Sequence, residues 1–385
     1  MTKHQEHGKK DFSNNSQKLC YICPFYDKDS ATHISYLAPF IKKVADKADV
    51  FLIIEKANEK PDLGTAYTRV SSKKSKVFKI IKTFFYLIEA RAKGYKNIYI
   101  HYSFSAAYLA SWVFGKTGGK VFYWNCGMPW NYKRPKVRDW FERLAYRRIN
   151  FLVTGTDGMA DLYSKHYKIS KEKIKVMANW IDLEKIKNQK SKIKIDDIKK
   201  ELNIKENQKV LLFVHRLSKR KGAHHLTEII NSLNFKFQIS NFILLVAGNG
   251  PEAENIKHQI TNYKLNDKVR LLGWIPQNKI GDYFSIADVF LMPSEEEGFP
   301  HVLLESMVYG VPFVATDVGG VKEITPPILR VYIQKVGNNE NFAKAVKELL
   351  TLKEDELQKI KDEERGWVKR YDIKVSVERF LEMIE

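Results

Sequence analysis

The stretch Val289-Phe-Leu-Met-Pro-Ser-Glu-Glu-Glu-Gly-Phe-Pro-His-Val-Leu-Leu-Glu305 joins a strand, a turn and the beginning of a helix. Its first four residues form a short apolar run of the kind found in buried strands of parallel sheets. From Gly298 onward a helix can begin, and backbone N–H groups at such a start bind anions. Glu297 and Glu305 lie eight residues apart, one in the turn and one on the helix. This spacing predicts that the two carboxylates hold hydroxyl groups at two ends of one ligand.

Short apolar runs alternate with longer amphipathic segments along the rest of the chain, which is typical of an α/β fold. Further helices are expected over residues 339–352 and 355–371, with a last one running to residue 385. Residues 182–207 are rich in Lys, Asp and Glu and are predicted to form a connection and one surface helix. Strands are predicted at residues 19–23, 50–54, 97–101, 121–124, 151–154, 174–177, 210–214, 242–247, 269–272, 289–292 and 311–315.

The length of 385 residues predicts two to three domains at roughly 150 residues per domain. We expect a polar leader at residues 1–18, a Rossmann-like domain at 19–180 and a second one at 181–366. A helix at 367–385 is predicted to cross back to the first domain. Two such domains in tandem leave a cleft between the carboxyl ends of their strands, where ligands of open α/β sheets bind.

The composition is that of an ordinary globular protein, but the charge is unevenly distributed. Hydrophobic residues make up 44% and charged residues 29%, which excludes collagen-like, low-complexity and wholly disordered chains. The net charge is +20, and residues 1–180 hold 33 Lys/Arg against 15 Asp/Glu, or +18. The first half is therefore predicted to meet an anionic surface, whether nucleic acid, an anionic bilayer or an acidic substrate.

The cysteine content and the apolar runs indicate the compartment. Three cysteines fit a reducing, cytosolic environment, and residues 1–18 lack the apolar core of a secretory signal. The longest apolar runs are far shorter than the ~20 residues that span a bilayer. We expect a cytoplasmic protein, with any membrane role confined to the inner face of the membrane and peripheral.

Three further loops at predicted strand ends carry cations or glycines. Arg216 and Lys221 follow the first strand of the second half, and fixed positive charge there is suited to neutralising a diphosphate. Gly248 and Gly250 follow the next strand, and a glycine pair at 319–320 follows the last one. Each glycine pair alone also fits an ordinary turn. Together with the carboxylate stretch, all of these loops fall at strand ends that face the same cleft.

The ordered set resembles the donor-binding half of the family 4 retaining glycosyltransferases, the glycosyl transferases group 1. It consists of Arg216 with Lys221, Gly248-x-Gly250-Pro-Glu, Glu297 with Glu305, and the glycine pair at 319–320. The similarity is dense from residue 212 to residue 323 and thinner elsewhere. It implies the GT-B fold, in which two Rossmann-like domains face a central cleft, and a site for a nucleotide-sugar.

The resemblance also implies a role for each matching residue. Arg216 and Lys221 would hold the diphosphate and stabilise the departing nucleotide, in a reaction that needs no metal and no cofactor. Glu297 would contact the donor sugar and Glu305 the ribose hydroxyls, although acidic pairs are more often simply solvated. Trp274 and Ile275 would lie beside the nucleobase, and the backbone amides of Gly298, Phe299 and His301 would line the sugar and phosphates. The remaining donor-site residues are Gly248, Gly250 and Pro300, and Pro300 has no N–H to offer.

The first half carries fewer matching residues. His101 ends a predicted strand, where family members commonly have a histidine that contacts the donor sugar or assists the acceptor hydroxyl; the alternative is a structural histidine. Asn179-Trp-Ile-Asp182 resembles the family's junction into the second domain. Residues 24–32 carry side chains where the family has a glycine pair, so the family's acceptor and phosphate contacts cannot be transferred to this loop.

Two short patterns are not expected to bind a metal. Asp27-x-Asp29 mimics the acidic metal-binding pair of a different glycosyltransferase fold, which places that pair deeper in its domain. Cys20 and Cys23 lie inside one strand, where positions i and i+3 point to opposite faces. We therefore expect neither a metal site nor a redox pair.

Two basic segments are candidates for contact with an anionic surface. Residues 73–96 hold eight Lys or Arg and one Glu, with apolar residues between 77 and 88 on one helical face; residues 130–148 mix basic and aromatic side chains. Each segment fits a core helix with a solvated basic face or adsorption to anionic lipid. The second also suits single-stranded nucleic acid. The predicted membrane or acceptor surface comprises Lys76, Lys79, Lys82, Trp130, Arg147 and Arg148.

These observations predict a retaining, metal-independent glycosyltransferase that moves a sugar from a nucleotide-sugar to an acceptor hydroxyl, on a lipid-linked or cell-envelope glycan. The membrane is favoured over nucleic acid because the family often uses lipid-linked acceptors. The nearest alternative is a nucleotide-sugar epimerase of the same fold. A non-catalytic nucleic-acid-binding protein would explain the charge but not Glu297 and Glu305, so no nucleic-acid partner is expected.

Overall fold

The computed structural model describes residues 17–27, 36–71, 75–190 and 192–385, without the side chain of Lys76. It divides the chain into two compact units, Met1–Ala178 with Lys374–Glu385, and Asn179–Ile373. The chain thus returns to the first unit at Lys374 rather than at residue 367. Most of the polar leader and Asp29 of the acidic pair lie outside the described residues.

The first unit is built on a parallel sheet. Its described strands are β1 (Lys18–Cys23), β2 (Asp49–Ile54), β3 (Tyr67–Val70), β4 (Asn97–His101), β5 (Val121–Trp124), β6 (Phe151–Thr154) and β7 (Ile174–Val176). They lie in the order β3-β2-β1-β4-β5-β6-β7. The helices between them are α1 (Leu37–Ala45), α2 (Lys76–Ala92), α3 (Phe104–Val113), α4 (Lys136–Arg148) and α5 (Asp157–Tyr167).

The second unit repeats this plan with six strands among its described residues. These are β8 (Lys209–Val214), β9 (Phe242–Ala247), β10 (Val269–Gly273), β11 (Val289–Met292), β12 (Phe313–Thr316) and β13 (Ile333–Gln334), in the order β10-β9-β8-β11-β12-β13. Its helices are α6 (Leu183–Lys190), α7 (Ile195–Glu201), α8 (Leu226–Asn231), α9 (Ala253–Asn262), α10 (Ile280–Ile286), α11 (His301–Tyr309), α12 (Val321–Ile324), α13 (Asn339–Leu350) and α14 (Glu354–Trp367). The segment predicted to hold one surface helix therefore holds two, α6 and α7.

The last helix, α15 (Ile373–Ile384), packs on the first unit. Its Phe380 is fully buried and meets the ring of Tyr99 edge-on at 4.8 Å. The side-chain amide of Asn97 donates a hydrogen bond of 2.6 Å to the carbonyl of Ile384. Burial of aromatic surface and these bonds hold the end of the chain against the first sheet.

Every predicted strand is present within two residues of its expected bounds, because each one is a short, mostly apolar run in the sequence. Two of them, β7 and β10, lie at sheet edges and are only partly buried. The two strands that were not predicted from the sequence, β3 and β13, lie at sheet edges. β3 is only partly buried along its length and β13 has two residues. Neither carries the continuous apolar run that identifies a central strand.

Both sheets reverse their strand order at an equivalent place, between β1 and β4 in the first unit and between β8 and β11 in the second. All the strand pairs are parallel, including β8 with β11. At such a reversal the loops leave in opposite directions and open a crevice at the carboxyl ends of the strands. The loops after β8 and β11 are therefore the places to look for a ligand site in the second unit.

No helix in the described ranges combines the length and the apolar character that crossing a membrane requires.

Candidate functional site

The loop after β8 is held tightly against the loop after β11. Residues Lys219–Lys221 form a 3-10 turn, and Gly222 follows with a φ of 65°, which favours glycine. A Cβ atom at Gly222 would lie 1.7 Å from the carbonyl oxygen of Pro293. Only glycine permits this approach, which brings Lys221 beside the loop that carries the acidic residues.

Backbone hydrogen bonds fix the same contact. The carbonyl of Arg220 accepts hydrogen bonds from the N–H groups of Glu295 at 2.9 Å and Glu296 at 3.2 Å. On the other side, the hydroxyl of Thr316 donates to the carbonyl of Ser294. The turn that bears Glu297 is thus clamped from two directions.

A buried ion pair forms where the two loops meet. Lys221 Nζ donates to Glu297 Oε2 at 2.7 Å, and the two residues are only 7% and 5% exposed. The second carboxylate oxygen, Oε1, accepts a hydrogen bond from the hydroxyl of Ser294 at 2.8 Å and lies 3.2 Å from Nε2 of His215. Glu297 is therefore held by three groups rather than solvated.

The surroundings set the charges of this cluster. Burial by itself raises the pKa of Glu297, but the positive charge of Lys221 and the hydrogen bond from His215 outweigh it and hold that pKa well below its usual range. For His215, burial and the charge of Lys221 lower the pKa of the imidazole against the pull of Glu297. The N–H of Arg216 donates to His215 Nδ1 at 3.0 Å, so the neutral ring carries its proton on Nε2 and donates it to Glu297.

Arg216 is exposed directly after this histidine, and the glycine pair after β9 supports its backbone. Cβ atoms at Gly248 and Gly250 would lie 1.9 Å and 2.1 Å from the carbonyl oxygens of His215 and Leu217. The two glycines therefore let the backbone of the loop after β9 lie directly against the loop after β8, which is more than an ordinary turn requires. Contact of either glycine or of Arg216 with a phosphate remains a prediction.

The next loop leads into α11, the helix that carries Glu305. The first N–H groups of a helix have no intrahelical partner and attract anions. Here that end follows Pro300, and His301 is the first, partly buried helical residue. Asn179 donates from its side-chain amide to the carbonyl of Phe299 at 3.0 Å. The asparagine of the predicted junction motif thus fixes the chain just before the helix.

The glycine pair after β12 belongs to the same edge of the sheet. The N–H of Gly320 donates to the carbonyl of Gly298 at 3.0 Å. All four predicted loops therefore follow strands of one sheet, and backbone contacts join each to a neighbour.

The second carboxylate lies beside the loop proposed for the nucleobase. Glu305 is buried on α11, and its Oε1 accepts a hydrogen bond of 2.6 Å from the side-chain amide of Gln277. Gln277 comes shortly after Trp274 and Ile275, which are exposed and partly buried. The structure thus brings Glu305 next to this loop, whereas its contact with a ribose is untested.

Three members of the site were not identified from the sequence: His215, Ser294 and Gln277. His215 and Ser294 lie inside the stretches that were singled out, beside Arg216 and before Glu297. Their positions in the sequence gave no reason to choose them, because only the folded loops show which side chains turn toward the carboxylate. Gln277 lies far from Glu305 in the chain and carries no spacing signal.

In the first unit, His101 lies at the carboxyl end of β4 and is 1% exposed. Its Nδ1 is 2.8 Å from the hydroxyl of Tyr21, and its ring stacks on Trp124 with centroids 4.3 Å apart. The histidine is therefore held rigidly among aromatic rings. Its predicted action on donor or acceptor stays a prediction.

Helix α2 packs on the first unit with its more polar side, the reverse of what is expected for a core helix. Its buried positions include Thr83, Leu87 and Ala90, and Lys79 on the packed side pairs with buried Glu55 at 3.0 Å. The core-helix alternative is wrong here, because the side with the largest apolar residues is turned outward. We define the α2 apolar face as Val77, Phe78, Ile80, Ile81, Phe84, Phe85 and Ile88, which are 36–65% exposed.

The predicted basic surface is only partly assembled. Lys82 and Arg147 are exposed, whereas Lys79 is engaged with Glu55 and the side chain of Lys76 lies outside the described residues. Arg148 is partly buried, donates to the hydroxyl of Ser111 at 3.1 Å and lies 4.0 Å above the ring of Trp112. Trp130 stacks on His166 with centroids 4.3 Å apart, so it packs within the unit.

Comparison with known proteins finds a family match within the second unit. Residues 194–367 match the family model described as glycosyl transferases group 1. Residues of this chain are 31% identical over 162 positions to N-acetyl-alpha-D-glucosaminyl L-malate synthase of Bacillus anthracis, covering 42% of this chain and 41% of the relative. A second relative, the phosphatidylinositol N-acetylglucosaminyltransferase GPI3 subunit of Saccharomyces cerevisiae, is 32% identical over 126 residues, or 33% of this chain and 27% of its own length. The chain thus spans less than half of these curated relatives.

The likeness to solved structures extends over both units. Anabaena Alr3699/HepE, solved in complex with UDP, superposes with a TM-score of 0.75 at 16% identity, over 96% of this chain and 99% of that one. At this identity the likeness establishes the fold. Residues 194–367 thus match the glycosyl transferases group 1 family model, and the two units have the GT-B fold of two Rossmann-like domains.

Proposed function

We propose that this protein is a retaining glycosyltransferase that moves a sugar from a nucleotide-sugar to an acceptor hydroxyl of a lipid-linked or cell-envelope glycan. The observation that carries the proposal is the buried Lys221–Glu297 pair at the carboxyl ends of β8 and β11. Both groups are charged, held in place and set where the strand order reverses. A site of this kind is suited to an anionic ligand that carries a sugar.

Lys221 and Arg216 supply the positive charge for the departing diphosphate. The ammonium group of Lys221 has three N–H donors, and one of them is engaged with Glu297. The other two are proposed to meet phosphate oxygens, together with the N–H groups of the exposed guanidinium of Arg216. Charge that develops on the leaving nucleotide is stabilised most strongly in a buried, prearranged site. In this scheme the cations do the work for which other glycosyltransferase folds use a metal.

Glu297 is proposed to hold the hydroxyls of the donor sugar. Its depressed pKa keeps it ionised throughout the physiological range, and an ionised carboxylate accepts strong hydrogen bonds from hydroxyl groups. His215 and Ser294 fix one oxygen and Lys221 the other. The carboxylate therefore presents its remaining lone pairs in one fixed direction.

Glu305 and Gln277 are proposed to recognise the nucleoside. A buried carboxylate bound to an amide offers a fixed acceptor for two vicinal hydroxyls. Because a structural neighbour is solved with UDP, UDP-sugars are the first donors to test. The names of the two curated relatives contain N-acetyl-alpha-D-glucosaminyl and N-acetylglucosaminyl, so UDP-N-acetylglucosamine heads the panel.

The acceptor is assigned to the first unit. That part of the chain, residues 1–180, carries +18 of the net charge, whereas the donor residues lie in the nearly neutral remainder. A lipid-linked acceptor in an anionic membrane surface accounts for this division, because cations are drawn to such surfaces. The name of the yeast relative includes phosphatidylinositol, which agrees with an acceptor of this class.

The proposal is tested by binding a panel of nucleotide-sugars to the full-length protein and then assaying transfer with the donor that binds. We expect one donor to bind, its sugar to move only when an acceptor is present, and the anomeric configuration of the product to match that of the donor by NMR. An inverted product would remove the retaining mechanism. Turnover of the donor without any acceptor would point to an epimerase, and no nucleotide-sugar binding at all would refute the proposal.

A further inference from the structure

The α2 apolar face is the largest exposed apolar feature of the described chain. It holds seven of the nineteen large hydrophobic side chains that are exposed in the described ranges, all within three turns of one helix. Exposed apolar residues scattered singly are normal, but contiguous ones mark a surface that binds something. The helix has 17 residues, so at 1.5 Å per residue it can lie along a surface about 25 Å long.

The opposite side of α2 fixes this orientation. Lys79 pairs with Glu55, which is buried after β2, and the other oxygen of Glu55 accepts a hydrogen bond of 2.6 Å from Ser103. Thr83 donates or accepts a bond of 2.9 Å with buried Ser71. Turning the helix over would bury large apolar side chains but would leave Glu55 without its cation, which is costly for a buried carboxylate. The exposed apolar face is thus built into the fold.

These bonds also place α2 near the acceptor side of the first sheet. Glu55 follows β2, and Ser103 caps α3 two residues after His101. Lys79 in the first turns of α2 is therefore joined through Glu55 to the loop that contains His101. The amino-terminal part of the α2 apolar face lies at the same edge of the sheet as the histidine predicted to meet the acceptor.

A second exposed group extends this surface in the direction of α4. Val137, Trp140 and Phe141 on α4 are 66%, 58% and 42% exposed. Helix α3 packs on both α2 and α4, so the three helices cover one side of the sheet. Exposed apolar residues thus lie on two helices of the same side of the sheet, with α3 between them.

The charges around this surface indicate its occupant. Lys82 and Lys93 on the α2 side and Lys136 and Arg147 on the α4 side are exposed. Within α2 the single acidic residue, Glu89, is engaged by Arg69 at 2.6 Å and 3.0 Å. Apolar side chains bordered by cations match an anionic bilayer, which offers acyl chains and negative headgroups on one surface.

We propose that α2 is an interfacial helix that inserts the α2 apolar face among the acyl chains of an anionic bilayer. In this position the carboxyl edge of the first sheet, with His101, lies close to the membrane surface. A lipid-linked acceptor then reaches the protein without leaving the bilayer. The inference deepens the proposed function by naming the element that contacts the membrane, and it rests on that function only for the nature of the acceptor.

The test is co-sedimentation of the full-length protein with vesicles of phosphatidylcholine alone and of phosphatidylcholine mixed with phosphatidylglycerol. We compare wild type with Phe85→Asp on α2 and with the control Phe235→Asp in the second unit, since these side chains are 62% and 60% exposed. Wild type is expected to bind the anionic vesicles more tightly. Phe85→Asp is expected to weaken vesicle binding about tenfold to a hundredfold, which corresponds to the free energy of burying one aromatic side chain. Phe235→Asp is expected to leave vesicle binding unchanged.

Val77→Asp repeats the measurement at the other end of the face, in case Phe85→Asp does not fold. Binding of a soluble nucleotide-sugar is measured in each variant and is expected to stay at the wild-type level, so loss of vesicle binding is separated from loss of the donor site. The proposal is overturned if wild type does not sediment with anionic vesicles, or if Phe85→Asp and Phe235→Asp behave alike. It is also overturned if Phe85→Asp instead abolishes a concentration-dependent dimer in sedimentation velocity, because the face would then be an interface between copies.

Discussion

The two units share one topology but use the equivalent edge of their sheets in different ways. In the second unit, the loops at the reversal of strand order bury an ion pair, Lys221 with Glu297, and a neutral histidine, His215. In the first unit, the same position holds His101 between the hydroxyl of Tyr21 and the ring of Trp124. The topology decides where a ligand can bind, and the side chains at that place decide which ligand it is.

The difference has a physical cause in the loops. In the second unit, Gly222 lets two loops touch, so charged groups are buried together with their partners. In the first unit, aromatic rings lie at the corresponding place, where Tyr21 and Trp124 stack on His101. Under the proposed function, the charged arrangement of the second unit receives the diphosphate, and the aromatic arrangement of the first unit receives the acceptor hydroxyl.

The largest effect is expected from Lys221→Ala. The change removes the main cation for the leaving diphosphate, and we expect kcat/KM for transfer to fall about a hundredfold to a thousandfold. It also leaves Glu297 buried without its partner, which costs about 3–5 kcal/mol of unfolding free energy. The measurement is steady-state transfer alongside thermal unfolding.

Lys219→Ala is the matched control, because Lys219 is an exposed lysine of the same turn. It should transfer sugar as wild type does. Equal activity of Lys221→Ala and Lys219→Ala would show that the ion pair is purely structural.

A smaller effect is expected from Glu305→Ala. Without the carboxylate, Gln277 loses its acceptor and the nucleoside its proposed hydroxyl contact, so affinity for the nucleoside diphosphate should fall about tenfold to a hundredfold. Calorimetric titration measures this directly. An unchanged dissociation constant would remove Glu305 from the donor site and restrict that site to the loops after β8 and β11.

His101→Phe tests the residue at the equivalent place in the first unit. Phenylalanine keeps the stack on Trp124 but loses the nitrogen that faces Tyr21. We expect transfer to fall about tenfold or more, as for loss of a group that assists proton transfer, with the dissociation constant of the donor unchanged. Full transfer by His101→Phe would mean that the histidine only supports the fold.

The smallest effect concerns the pH dependence of stability. Because the pKa of His215 is lowered in the folded protein, the unfolded chain takes up a proton that the folded chain refuses, and stability falls as the pH drops below about 6.5. His215→Gln removes this contribution, so its unfolding free energy should fall less between pH 7 and pH 5. Urea denaturation at the two pH values measures this difference. An equal change in unfolding free energy for the variant and the wild type would indicate that the imidazole is not held neutral.

Much of this architecture follows from the sequence, because central strands and glycine loops leave strong local patterns. The apolar runs predict the strands of both sheets, and the spacing of Glu297 and Glu305 predicts that the loop after β11 and the start of α11 belong to one site. Partners that are distant in the chain leave no such pattern, which is why Gln277 and His215 were missed. The edge strand β3 was missed because it is only partly buried and has no continuous apolar run.

The orientation of α2 shows a different limit. Periodicity correctly places Val77, Ile81 and Phe85 on one side of a helix, but it does not say which side packs on the sheet. The decision lies in long-range bonds, above all Lys79 with Glu55. From the sequence alone, the apolar side of a helix is expected to be buried, whereas in α2 that side is exposed.

The central claim is that the buried Lys221–Glu297 pair belongs to a diphosphate-binding site. It is tested most directly by titrating UDP, followed by other nucleoside diphosphates if UDP does not bind, into wild type, Lys221→Ala and Lys219→Ala by calorimetry. We predict that one nucleoside diphosphate binds wild type and Lys219→Ala equally, and that Lys221→Ala binds it at least about tenfold more weakly. Equal affinity of folded Lys221→Ala and wild type would contradict the account.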